Sequence, residues 1–152
     1  MKVATIITEI DHEDLVNLFS TAIYGSNFFD IGYDEKDYYG TELESRNDCI
    51  EDKCAKLLLA GKAIFVFDAY AEDEDEFYGK FNHEWINGDD GIGMKYTINL
   101  ENIKDGIQKC LEGENNWLRD CAKHLMYEPY ALDLPEAEAI LQKIVFGELI
   151  YG

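Results

Sequence analysis

The chain has 152 residues, enough for one domain with a real core, and 47% of them are hydrophobic, which excludes a disordered acidic tail. Thirty-two acidic side chains face thirteen basic ones, a net charge of −19. Such a chain is repelled by nucleic acid and by anionic membranes, so its natural partners are cations or basic protein surfaces.

Residues 2–10, KVATIITEI, carry β-branched residues in partial alternation and predict an N-terminal strand. Asp11 reads as an N-cap, with Glu13 and Asp14 in the first turn and Leu15, Leu18, Phe19, Ala22 and Ile23 on one apolar face; Gly25 ends that helix. A short strand over Phe28 to Tyr33 follows, then a tyrosine-rich acidic stretch that reads as an exposed loop. A second helix over 47–61 is capped by Asn47 or Asp48, with Cys49, Ile50, Cys54, Leu57 and Leu58 buried. The continuous apolar run KAIFVFDAY (62–70) predicts a central strand covered on both faces.

Residues 69–81, AYAEDEDEFYGKF, place five consecutive carboxylates between aromatic residues. Turn signals stand at Asn87-Gly88 and Asp90-Gly91. MKYTINL (94–100) alternates, and an antiparallel pairing of 63–70 with 94–99 is expected, decorated by 71–92. Three helices complete the chain. The first is capped by Asn99 or Asn102 and buries Ile103, Ile107, Cys110 and Leu111. The second, over 115–127, buries Trp117, Leu118, Cys121 and Leu125, and Pro129 closes it. The third starts at Asp133 with Pro135 and Glu136 behind it, carries Ala137, Ile140, Leu141, Ile144 and Val145, and ends at Gly147; ELIY then forms a last short strand. The expected fold is one α+β domain over 1–152, a small, mostly antiparallel sheet packed with about five helices.

The chemistry-bearing residues favour no enzyme class. Cys49, Cys54, Cys110 and Cys121 match no zinc or CxxC spacing and read as reduced core thiols of a cytoplasmic protein. His12, His83 and His124 have no ligand partners at helical spacing, and no nucleophile or phosphate-cradle motif is present. An EF-hand register from Asp73 fails, with Phe77 at an oxygen-ligand position and Tyr78 where glycine is required. No cofactor and no catalytic residue is expected. A carboxylate- or metal-dependent hydrolase is the alternative, as is an oligomeric structural protein.

Binding is the favoured class. Nine acidic residues fall in 68–90 (Asp68, Glu72, Asp73, Glu74, Asp75, Glu76, Glu84, Asp89, Asp90) and nine in 30–52 (Asp30, Asp34, Glu35, Asp37, Glu42, Glu44, Asp48, Glu51, Asp52). Brought together, they would form a broad negative face with embedded aromatics, able to imitate phosphate rows and occupy the basic groove of a nucleic-acid-binding protein. The candidate contact residues are Glu72, Asp73, Glu74, Asp75, Glu76, Phe77 and Tyr78, with Asp34, Glu35, Asp37, Tyr38 and Tyr39. The competing reading is a solvated acidic loop with locally packed tyrosines.

TAIYGSNFF (21–29) is similar to a TALEGGINYW-like stretch in a family of small, uncharacterised phage and prophage proteins, and AILQKIVFGELIYG (139–152) resembles that family's IIQYALFGEIVFG. AIFVFDAY and YTINLENIKDGIQKCLE resemble its strand, turn, strand and helix. Gly25-Ser26 and Phe28-Phe29 stand where the family carries Gly-Gly and Tyr-Trp, and 71–92 is longer and more acidic than the family's turn. The resemblance implies a mobile-element origin and a place in the host cytoplasm, and no catalytic residues. By analogy it suggests an inhibitor of a host nucleic-acid-binding or defence protein.

Overall fold

A computed structural model describes residues 9–89 and 91–152. In chain order these form α1 (His12–Ile23), β1 (Phe29–Gly32), α2 (Glu35–Tyr38), α3 (Ile50–Leu59), β2 (Ile64–Asp68), β3 (His83–Gly88), β4 (Gly91–Ile98), α4 (Leu100–Glu112), α5 (Asn116–Tyr127), a 3-10 turn at Pro129–Ala131, and α6 (Leu134–Phe146). The fold is α+β, as expected. The strand expected at 2–10 lies, but for its last two residues, outside the described residues.

Reciprocal side-chain caps set three of the helix starts. Asp11 accepts from Asp14 N–H at 2.9 Å while Asp14 accepts from Asp11 N–H at 3.1 Å. Asn99 and Asn102 exchange the same pair of bonds at 2.9 Å, and Asp133 and Glu136 do so at 3.0 and 3.2 Å. Each such cap is worth about 1 kcal/mol, because it satisfies N–H groups that the helix itself leaves unpaired. The α3 cap departs from expectation. It is Cys49, which is exposed rather than buried, and Asp48 is drawn away from the cap by Tyr38 and Lys56.

The sheet is antiparallel throughout, in the order β1-β2-β4-β3. The expected pairing of 63–70 with 94–99 is present, running from Ile64 opposite Ile98 to Asp68 opposite Met94. The connection between those strands is more than decoration. It contains β3, which returns along the far edge of β4, and the chain reverses between the paired Gly88 and Gly91.

β2 is central by pairing but covered on one face only. Ile64, Val66 and Asp68 are buried, while Phe65 and Phe67 on the other face are half-buried, with the Lys95 ammonium 4.3 Å from the Phe65 ring centre. The two-layer arrangement follows: Phe29, Ile31, Met94, Tyr96 and Ile98 join the buried face and meet the helices there. Burial of this continuous apolar face supplies the main driving force for folding.

Helix α6 occupies the middle of the helical layer. It is buried on nearly every side, from Glu136 and Ala137 to Val145 and Phe146, and α1, α4 and α5 pack on it. The α4 contact is close enough to require glycine: a Cβ on Gly106 would lie 2.6 Å from Ile144 Cγ1. Gly147 then takes the left-handed conformation (φ 81°) that ends α6.

Two further expectations are corrected. Trp117 is 47% exposed, because its neighbour Leu118 takes the core-facing position in register with Cys121, Ala122 and Leu125. ELIY forms no strand: the N–H groups of Ile150 and Tyr151 both donate to the Gln142 side-chain oxygen at 2.8 Å, and the Gln142 amide donates to Tyr151 O at 3.1 Å.

Candidate functional site

The two acidic stretches leave the sheet at opposite ends. β1 pairs antiparallel with β2, with Phe29 opposite Asp68 and Gly32 opposite Phe65. The chain therefore enters 33–39 beside the start of β2 and enters 69–78 from its finish. A five-residue strand spans roughly 17 Å at about 3.3 Å per residue, so the two stretches do not merge into the single acidic face that the sequence allowed.

The first stretch is folded inward. Asp34 caps the one-turn α2 by accepting from Lys36 N–H, and Glu44 accepts from Gly40 N–H. Glu35 and Tyr39 are exposed and Asp37 is half-buried, but Tyr38 has no exposed surface and so cannot be a contact residue. Its hydroxyl donates to Asp48 at 2.7 Å and accepts from Ser45 N–H at 2.9 Å. The expected exposed loop is thus a compact motif.

Two lysines reach into that motif. Lys56 reaches Asp48 at 2.6 Å. Lys53 lies over the rings of Tyr33, Tyr38 and Tyr39, and its ammonium donates to Tyr39 Oη at 2.7 Å, which raises its pKa. Burial works to raise the Asp48 pKa, yet donation from Lys56 and Tyr38 outweighs it and holds the carboxyl below its usual value.

The second stretch is an exposed turn pinned at both ends. At its start Asp68 is buried, accepting from Tyr151 Oη at 2.7 Å and from Tyr70 N–H at 2.9 Å. At its finish Tyr78 N–H donates to Tyr96 Oη at 3.0 Å, and the Tyr78 ring meets Phe146 edge-on at 5.3 Å. Gly79 follows with φ 81°, so close to α6 that a Cβ would lie 2.5 Å from Val145 O. Glu76 accepts from Glu72 N–H at 2.8 Å and Asp73 accepts from Asp75 N–H at 2.9 Å, so the turn folds on itself.

Glu72, Asp73, Glu74 and Asp75 are exposed and Glu76 half-buried, and among the described residues no lysine or arginine pairs with any of them. Phe77 is 44% exposed, with one face stacked on His83 at 3.9 Å between ring centres. The result is a preorganised, uncompensated acidic turn with an aromatic beside it.

Among the described residues no three His, Cys, Asp or Glu side chains converge where they could hold a metal ion. Burial pushes the Cys54, Cys110 and Cys121 thiols up to about 12, which keeps them protonated. Burial also raises the Asp68 pKa, against the bonds from Tyr151 and Tyr70, but both its oxygens are occupied. Asp68 and Tyr151 therefore act as a latch between β2 and the tail. The sequence carried no sign of it, since the partners stand 83 positions apart. Nor did it show that Phe77 would meet His83, because β3 went unrecognised.

Fold and site together define an α+β domain bearing one anchored acidic turn. Comparison with family models, with curated proteins and with solved structures finds no match for this chain. No helix among the described residues is long and apolar enough to cross a membrane.

Proposed function

We propose that this chain is a non-enzymatic acidic binding protein of phage or prophage type. It acts in the host cytoplasm by docking the turn 72–77 onto a basic protein surface. The observation that carries this reading is the turn itself: five carboxylates on a turn anchored on either side, with no lysine or arginine among the described residues paired to any of them. Preorganisation reduces the entropy lost on binding, and the −19 net charge steers a basic partner toward the molecule. A host protein that otherwise holds nucleic acid fits this chemistry. The imitation would be confined to one turn, because the stretch at 34–39 leaves the other end of the sheet, its Asp34 carboxylate caps α2 and its Tyr38 is buried.

Capture from host lysate tests the reading, with wild type compared with a variant carrying Glu72→Gln, Asp73→Asn, Glu74→Gln, Asp75→Asn and Glu76→Gln. The expected result is a basic protein retained at low salt by wild type, released as salt rises, displaced by added DNA or RNA, and not retained by the variant. Retention that ignores salt, or equal retention by the variant, overturns it. Failure of nucleic acid to displace the partner removes the mimicry and leaves the acidic docking.

A further inference from the structure

A second feature lies apart from the acidic turn, between the start of α5, the outer side of α6 and the tail. There a groove of about 370 Å³ opens, within the roughly 300–1,000 Å³ typical of small-ligand sites. Three aromatic rings line it: Phe28, Tyr151 and the outward-turned Trp117. Leu149 and Ala139 add aliphatic surface. Its one charged side chain is Glu138, and no lysine or arginine lines it.

Three of the lining side chains are held by hydrogen bonds. Tyr151 is held through its hydroxyl by Asp68, and its ring meets Phe28 edge-on at 4.9 Å. The Gln142 side chain, also in the lining, clamps the tail through both its oxygen and its nitrogen. Glu138 is held by Ser26, whose hydroxyl donates to Oε2 at 2.7 Å. Among the described residues its Oε1 accepts no hydrogen bond, and this partly exposed carboxylate lines the aromatic groove.

We propose that this groove binds an organic cation carrying N–H donors, a primary alkylammonium or a guanidinium, with its alkyl stem along Leu149 and Ala139. Such a group supplies the donor that Glu138 Oε1 lacks, a charge-assisted bond stronger than a neutral one. It also brings positive charge beside three aromatic rings, whose faces attract cations through their quadrupole. An anion is repelled by Glu138, and a neutral apolar ligand leaves that carboxylate desolvated without a partner. The inference does not rest on the role of the acidic turn: a free amine and a lysine side chain of a protein share the recognised chemistry.

Titration with n-butylammonium, followed by the indole N–H resonances of both tryptophans, tests it. The expected result is a saturable shift of Trp117 with Trp85 unmoved, no saturable shift with n-butanol, and affinity lowered about tenfold or more in Glu138→Gln. The Trp85 resonance and the far-ultraviolet circular dichroism report that the variant is folded, and Trp117→Ala, followed by calorimetry, gives a second loss of affinity. Absence of a saturable shift, an equal response to n-butanol, or unchanged affinity in Glu138→Gln overturns the proposal. Parallel titration with N-acetyl-lysine amide separates the sources: tighter binding than the free amine marks a protein side chain, and equal or weaker binding marks a small amine.

Discussion

Asp68 and Tyr151 show how one pair of residues links stability to pH. Burial raises the Asp68 pKa above its ordinary 3.8, so between that value and the folded pKa the folded state binds more protons than the unfolded state. Stability contributed by this group therefore falls as pH rises through that window and is greatest in acid. Asp68→Asn removes the slope. Urea midpoints measured from acid to neutral pH are expected to show wild type gaining on the variant as pH falls; a constant difference would contradict the assignment. Asp48 works in the opposite sense. Its lowered pKa contributes stability above 3.8 that is lost as pH falls through the folded value.

Among the elements, the α4–α6 contact makes the sharpest demand on sequence. Gly106→Ala would gain about 1 kcal/mol of helix propensity on an exposed helix. Here the new methyl meets Ile144 Cγ1 at 2.6 Å and its Cα at 2.7 Å, and overpacking of that kind costs roughly 1–3 kcal/mol. Chemical denaturation is expected to show a net loss; a stabilised variant would mean that α6 can move aside. The same elements show how far the sequence could be read. Asp11 and Asp133 announced their helices, and Asn99 was one of two candidates for a third, because a cap is a local matter of one side chain and the N–H three residues on. β3 left no such trace: on an edge strand, HEWING buries no residue fully, so no alternation survives. Trp117 was misplaced because hydrophobicity alone cannot decide which of two adjacent residues, Trp117 or Leu118, faces the core. Tyr38 and the tail were misread for another reason. Their partners, Asp48 for one and Gln142 for the other, stand eight to ten positions away, outside the reach of helix or strand periodicity. Of the candidate site, the acidic turn was legible as composition. Its separation from 34–39 was not, because that depends on strand register.

On the scale of the whole molecule, charge dominates. Thirty-two carboxylates against thirteen basic groups repel one another across a small surface, and dissolved salt screens that repulsion. The melting temperature at neutral pH is expected to rise with added NaCl, and to rise less in the variant with residues 72–76 neutralised. A melting temperature indifferent to salt would mean that local pairs such as Lys56–Asp48 already balance the field.

The central position of α6 has a consequence for the chain during its synthesis. α1, α4 and α5 lean on a helix that comes last in chain order among the described elements. A nascent chain emerging from the ribosome can pair β2 with β4 as soon as residue 98 is free. It cannot close its interior until residue 146 has cleared the exit. Until then, the apolar faces of three helices and one side of the sheet stand open to water, the interval in which a partly made domain is most exposed to aggregation and most in need of a chaperone.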